Sequence, residues 1–197
     1  MTFKVKDHYF HKAKKENFLA RSVYKLEEID DRFKVLNKGN KVIDLGYHPG
    51  SWIQYTSEKI GPSGIVVGCD IKEINTKLSH LSNVRLFEKD VLTIQDMSEL
   101  GVADQFDVVL SDMAPNTTGI RSVDQDRSLE LVEMVFSLLP KFLKPRGNMV
   151  VKVFESHHAQ VFLKSQKNTF EELHYLRPKS VRSVSKEFFV IGKNFKA

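Results

Sequence analysis

The hydrophobic positions of the chain fall into short apolar runs separated by stretches of helical spacing. Val23, Leu26, Ile29 and Phe33 recur at intervals of three and four and predict a helix from about Ala20 to Phe33. On that phase Arg21 and Lys25 share a face. Lys41–Leu45, Gly64–Asp70, Val84–Phe87, Phe106–Asp112 and Gly147–Phe154 are apolar runs of strand length, and Leu173–Leu176 and Phe188–Ile191 add two more. Between them, Trp52–Ile60 reads as a helix with Ser51 as its N-cap. Asp124–Leu143 reads as a long amphipathic helix with Leu129, Val132, Phe136, Leu139 and Leu143 as its stripe and Pro140 placed to kink or shorten its last turn. His158–Phe170 is a further helix, with Val161, Phe162 and Phe170 predicted to face inward. Strands alternating with helices indicate an α/β, Rossmann-like fold: a mostly parallel sheet, helices on both faces, and an extra N-terminal helix outside the repeating units.

Composition adds bounds. A chain of 197 residues, 41% hydrophobic and 28% charged, fits one domain spanning 1–197 with a sizeable core. The net charge of +5 permits a nucleic-acid partner without requiring one. Cys69 is the only cysteine, so no intrachain disulfide forms and a reducing compartment, the cytoplasm, is expected. No stretch is apolar and long enough for a signal peptide or a membrane span. The basic residues crowd at the start: Lys4, Lys6, Lys12, Lys14 and Lys15 oppose only Asp7 and Glu16, with Tyr9 and Phe10 among them. Residues 1–17 are either a solvated, frayed terminus or a basic arm that tracks phosphates.

The chemistry gathers where strands end. Val42-Ile-Asp-Leu-Gly-Tyr-His-Pro-Gly-Ser-Trp52 is strand, glycine turn and helix start, the first unit of a nucleotide-binding α/β fold. Gly46 and Gly50 allow a sharp turn and close approach of a ligand, and their Gly-x-x-x-Gly spacing suits a loop around a nucleoside. Asp44, Asp70, Asp90 and Asp112 lie at successive strand ends. Asp70, about 20 residues beyond the glycine loop, is where a ribose-binding acid belongs. Asp90 is placed to reach an adenine amino group, and Asp44 to brace the loop. Asp112-Met-Ala-Pro-Asn116 closes the fourth strand in a proline-fixed turn. Lys152 interrupts the apolar strand Met149-Val-Val-Lys-Val-Phe154: it either guards a sheet edge or, in a central strand, needs carboxylate partners, for which Asp112 and Glu187 are the candidates.

These motifs resemble the FtsJ family of S-adenosylmethionine-dependent RNA ribose 2′-O-methyltransferases. The resemblance runs from Ala20-Arg-Ser-Val-Tyr-Lys-Leu26 through the first strand and its loop, Pro49-Gly50, Trp52, Cys69-Asp70, Ser111–Asn116 and Val150–Phe154 to Ser180–Glu187. It implies a catalytic set on Lys25, Asp112, Lys152 and Glu187. It implies S-adenosylmethionine contacts at Gly50, Trp52, Asp70, Asp90 and Asp112, to which the glycine loop itself adds Gly46; the basic surface around Lys12, Lys14, Lys15 and Arg21 is expected to bind RNA. Two positions depart from the family pattern. Tyr47-His48 replaces small residues, which is expected to narrow the methionine end of the cofactor site or add a contact. Leu19 stands where a second arginine is common. No metal is implied, since His48 has no His or Cys neighbour at ligand spacing.

The implied reaction is an in-line displacement in which a ribose 2′-oxygen attacks the sulfonium methyl, with Lys152 as base or oxyanion stabiliser. Alignment of the reactants is worth on the order of 7–11 kcal/mol. Bacterial members of the family act on large-subunit ribosomal RNA, at a uridine of 23S-type RNA, and relatives act on tRNA or mRNA caps. A near-bare catalytic domain points to RNA presented on a ribosomal subunit and to a monomer, with no membrane partner. The alternatives are a nicotinamide dehydrogenase, a base methyltransferase using Cys69, an amino-group methyltransferase, and a non-catalytic RNA-binding ribosome-assembly factor. The absent Gly-x-Gly-x-x-Gly and the Asp112-Met-Ala-Pro115 turn count against the first and third.

Overall fold

The computed structural model describes residues 8–115 and 118–197, without the side chains of 121 and 122. Lys4, Lys6, Asp7 and Asn116 therefore lie outside the described residues. Seven strands form one sheet in the order β3-β2-β1-β4-β5-β7-β6. They are β1 (Lys41–Leu45), β2 (Ile65–Asp70), β3 (Val84–Glu88), β4 (Phe106–Ser111), β5 (Leu143–Phe154), β6 (Phe170–Leu176) and β7 (Glu187–Phe195). β1 to β5 pair in parallel, while β7 runs antiparallel to both β5 and β6. The chain passes from β1 outward to β2 and β3 and then returns to β4 on the other side of β1. The C-terminal ends of β1 and β4 thus flank the point where strand order reverses, where open α/β sheets bind ligands.

The helices are α1 (His8–Lys15), α2 (Val23–Phe33), α3 (Ser51–Ile60), α4 (Arg121–Phe142) and α5 (His157–Ser165). The central strands are buried on both faces, which is why they read as continuous apolar runs. One core, with Ile43, Val109, Val135, Phe142 and Phe170, lies under α4 and α5. The other, with Leu26, Ile29, Trp52, Ile53 and Phe189, lies under α2 and α3.

Several local expectations are corrected. Residues 8–15 are not frayed: they form α1, which buries Ala13 and packs Tyr9 against Tyr24, the rings tilted by 42° with 5.5 Å between centroids. Asn17 ends that turn at φ 61, and the Phe18 amide donates to the Ala13 carbonyl, a left-handed cap closing the helix. The helix expected from Ala20 begins at Val23, so Arg21 lies in the turn before α2, where it donates to the Ser180 carbonyl, while Lys25 on α2 reaches Asp112 and Glu187. Ser51 is not the N-cap of α3. Gly50 is, at φ 110, and Ser51 is buried with its hydroxyl 2.9 Å from that of Ser22. Pro140 does not shorten α4, which continues to Phe142; Gln105 donates its amide to the Pro140 and Lys141 carbonyls. Leu143 belongs to β5, not α4, and Phe170 to β6, not α5. Val161 faces outward, 54% exposed, because α5 turns Ala159 and Leu163 to the sheet instead.

Candidate active site

Four charged side chains meet where α2, β4, β5 and β7 converge. Lys152 lies on β5, 7% exposed, with β4 on one side and β7 on the other, so it is interior to the sheet and protects no edge. Its Nζ is 3.0 Å from Asp112 Oδ1 and also donates to the Asp112 carbonyl oxygen. Lys25, on α2, places its Nζ 2.6 Å from Glu187 Oε1 and 3.7 Å from Asp112 Oδ1. Glu187 opens β7 and sits opposite Phe154, and Lys152 sits opposite Phe189, so both side chains project from the α2 face. Burial pushes the Glu187 carboxyl up, but the charges of Lys25 and Lys152 and the Lys25 hydrogen bond outweigh it and hold the group below its ordinary value. Two cations and two carboxylates thus balance in a mostly buried cluster, the condition under which such charges persist away from water.

Beside this cluster is a small cleft lined by Ser22, Asp44, Gly46, Tyr47, His48 and Asp112 among others. Gly46 (φ 70) leaves room for Met113; a Cβ there would overlap its side chain. Gly50 (φ 110) is required by packing as well as by conformation, since a Cβ would overlap Leu78. Asp70 holds its carboxylate on the loop: Oδ2 accepts from the His48 amide at 2.9 Å and Oδ1 from the Lys72 amide at 3.0 Å. Each oxygen keeps further acceptor capacity for a ribose hydroxyl. Asp90 is exposed and accepts from the Leu92 amide at 3.0 Å, capping the short turn Val91–Thr93. Trp52 is 3% exposed, donates Nε1–H to the Ser22 carbonyl at 2.9 Å and packs on Phe189, so it mainly braces α3 against α2 and β7.

Asp44 is more consequential than a loop brace. It is 1% exposed, and its Oδ2 has no partner among the described residues. Burial, with Asp112 and Asp70 nearby, pushes its carboxyl well above the ordinary value. Sequence periodicity puts it at the strand end but carries no sign of an orphaned oxygen.

Tyr47 lines the cleft but points its ring away from it. Its ring is 4% exposed and turns into the core against Gly68, where a Cβ would come within 2.9 Å of it. Its hydroxyl accepts from the Asn75 amide at 3.4 Å, and Asn75 donates to the Pro49 carbonyl at 2.8 Å, tying the glycine loop to the segment after β2. His48 remains exposed at the mouth. Cys69 is buried with its thiol pushed up to about 12, by burial first and then by Asp44, which removes it as a nucleophile.

The basic residues separate. Lys14 and Lys15 are exposed on α1. Lys12 instead lies 3.9 Å from Glu27 and 4.2 Å from the Tyr24 ring. Arg21 is half-buried, and burial and Arg182 lower its pKa despite Glu187.

A reversing parallel sheet with a glycine turn after β1, acids at the ends of β2 and β4, and an antiparallel β7 is the Rossmann-like methyltransferase fold. The match is to the family described as FtsJ-like methyltransferase, over residues 18–195, and the chain belongs to that family. It is 45% identical over 193 residues to a Bdellovibrio bacteriovorus protein named ribosomal RNA large subunit methyltransferase E, covering 98% of both chains. It is 46% identical to the Syntrophobacter fumaroxidans protein of that name, covering 98% of this chain and 97% of that one. A Plasmodium falciparum structure described as a ribosomal RNA methyltransferase superposes with a TM-score of 0.76 at 24% identity, over 90% of this chain and 98% of that one, and supports the fold.

Proposed function

We propose that this methyltransferase transfers a methyl group from S-adenosylmethionine to a ribose 2′-oxygen of large-subunit ribosomal RNA, acting as a single-domain cytoplasmic monomer on RNA presented in the subunit. The observation that carries the reading is Lys152, a buried lysine ion-paired to Asp112 and flanked by the Lys25–Glu187 pair at the mouth of a nucleotide-type cleft. The names of the relatives support the RNA class. No helix among the described residues is long and apolar enough to cross a membrane.

The residues present fit S-adenosylmethionine. Gly46 and Gly50, both at positive φ, turn the loop at the end of β1, Asp70 offers acceptors for ribose hydroxyls, Asp90 an acceptor for the adenine amino group, and Asp44 an unpartnered buried oxygen. When bound, the cofactor supplies an electrophilic methyl on a sulfonium. The protein's part is to hold a 2′-oxygen in line with it. As an ammonium, Lys152 has three donors; the Asp112 carbonyl takes one and the Asp112 carboxylate is an ion-pair partner at 3.0 Å, so donor capacity remains for the ribose oxygen. In that form it stabilises the developing oxyanion. As an amine it accepts the 2′-hydroxyl proton. Asp112 fixes Lys152, and the Lys25–Glu187 pair positions the ribose beside it.

The test maps 2′-O-methyl groups in total RNA from cells with and without the protein, with transfer to large subunits, naked ribosomal RNA and tRNA assayed in parallel. One protein-dependent site in large-subunit RNA is expected. Methylation confined to tRNA or caps, or none on any RNA, overturns the reading; the latter leaves a non-catalytic assembly factor.

A further inference from the structure

On the α5 face of the sheet edge, a groove of about 580 Å³ opens between α5 and the ends of β6 and β7. That is within the range of small-ligand sites, roughly 300–1,000 Å³. Its lining includes Lys164, Tyr175, Arg177, Lys186, Glu187 and Phe188. Tyr175 is 53% exposed, and its ring centroid lies 6.2 Å from that of Phe188. A solvent-facing aromatic pair on a groove wall is a surface on which a flat base stacks.

Cations outnumber acids in its lining. Among the described residues, neither Lys164 nor Lys186 forms an ion pair with a carboxylate. Arg177 donates to the carbonyls of Arg182 and Ser185, which fixes the loop forming one wall while leaving its positive charge uncancelled. Of the two acids in the lining, Glu187 is held by Lys25 on the opposite face, so Glu155 alone opposes three cations. An anionic ligand with a stackable ring matches this set. Glu187 also joins the groove to the active site, because it belongs both to the groove lining and to the four-residue cluster. The amide of Glu155 donates to the Lys186 carbonyl at 3.0 Å, so the rim is tied to the end of β5, two residues beyond Lys152 on the same face at Phe154.

We infer that this groove holds a nucleotide flanking the methylated ribose, with its base against Tyr175 and Phe188 and its phosphate between Lys164 and Lys186. The inference rests on the RNA reading above and deepens it. It gives the enzyme a hold on single-stranded RNA on the side of the sheet opposite α1 and α2.

The test uses the full chain with a short fluorescent single-stranded RNA, its affinity read by anisotropy across a salt series, and with large ribosomal subunits for the KM. Tyr175→Ala is expected to weaken binding about fivefold or more with the salt slope unchanged, the signature of missing base stacking. Lys164→Ala and Lys186→Ala are each expected to reduce the slope of log K against log salt by about 0.7, the signature of one single-strand phosphate left unneutralised. All three are expected to raise the KM for subunits, with the affinity for S-adenosylmethionine and the Tm as in the wild type. An RNA carrying 4-thiouridine next to the target is expected to crosslink to the Tyr175 peptide. A wild type that methylates subunits while the three variants keep its KM, RNA affinity and slope overturns the groove alone. A wild type that neither binds RNA nor methylates subunits overturns both readings.

Discussion

Lys152 holds a position that stability alone would give to an aliphatic residue. Its neighbours Val151 and Val153 are 1% exposed, and the strands on either side are equally apolar. Deleting one partner of a buried pair leaves the other charge uncompensated, at a cost of about 3–5 kcal/mol in dry interiors. Asp112 keeps Lys25 at 3.7 Å and a partly open side chain, so the loss should fall below that range. Lys152→Met is therefore expected to fold with a lowered Tm, to bind S-adenosylmethionine, and to lose nearly all single-turnover methyl transfer. Near-full turnover in that variant would make the lysine structural. In the wild type, a flat pH–rate profile is the result expected of an oxyanion stabiliser, and a rising one that persists in Asp44→Asn is the result expected of a general base. Asp44 makes the opposite kind of prediction. A carboxyl raised on folding above its ordinary 3.8 contributes stability that is complete below that value and is lost as pH rises through the folded-state pKa. Asp44→Asn removes the titration and keeps the shape. Its denaturation midpoint is expected to exceed that of the wild type at pH 8 and to converge with it toward pH 4; parallel curves would show that Asp44 does not titrate between them.

At the scale of elements, the strands are readable because burial on both faces leaves continuous apolar runs, and β1, β2, β3 and β4 begin or end within a residue of their expected bounds. Their order is not readable, since pairing of β7 between β5 and β6 depends on residues far apart in sequence. The first helix is obscured by its lysines, although Asn17 before Phe18-Leu19 is the cap residue that marks its end. The Lys25, Asp112, Lys152 and Glu187 grouping is visible as polar residues out of place in apolar surroundings. The compensation of Tyr47 by Gly68 is not, because nothing local links two residues on adjacent strand ends. That pair is testable. A Cβ at Gly68 would stand 2.8 Å from Leu86 and 2.9 Å from the Tyr47 ring. Gly68→Ala is expected to cost about 1–3 kcal/mol by overpacking. Combined with Tyr47→Ala it should cost less than the sum of the two single changes, as read from a double-mutant cycle in urea. Strict additivity would mean that Tyr47 is not what Gly68 accommodates.

Across the whole molecule, the net charge of +5 is unevenly placed, and the structure divides the basic residues into those holding the fold and those facing solvent. Lys12 is engaged by Glu16, Glu27 and the Tyr24 ring, and Arg21 by the Ser180 carbonyl, which anchors the loop leading to Glu187. Lys14 and Lys15 project from α1, the helix that packs on the one carrying Lys25. If RNA crosses α1 on its way to Lys152, each of these two lysines that meets a phosphate adds to the salt dependence of binding. Lys14→Ala with Lys15→Ala is expected to flatten the slope of log K against log salt by about 0.7 to 0.9 for every phosphate no longer neutralised, to raise the KM for ribosomal subunits, and to leave the Tm unchanged. Arg21→Ala should behave differently: it removes a half-buried tether, so the Tm should fall and kcat should fall with it, because the Ser180 loop sets the position of Glu187 against Lys25. The two variants are compared by salt titration of RNA binding and by thermal melting. A Lys14/Lys15 variant with the wild-type slope would place α1 off the RNA path, leaving its aromatic packing on Tyr24 as a purely structural support for α2.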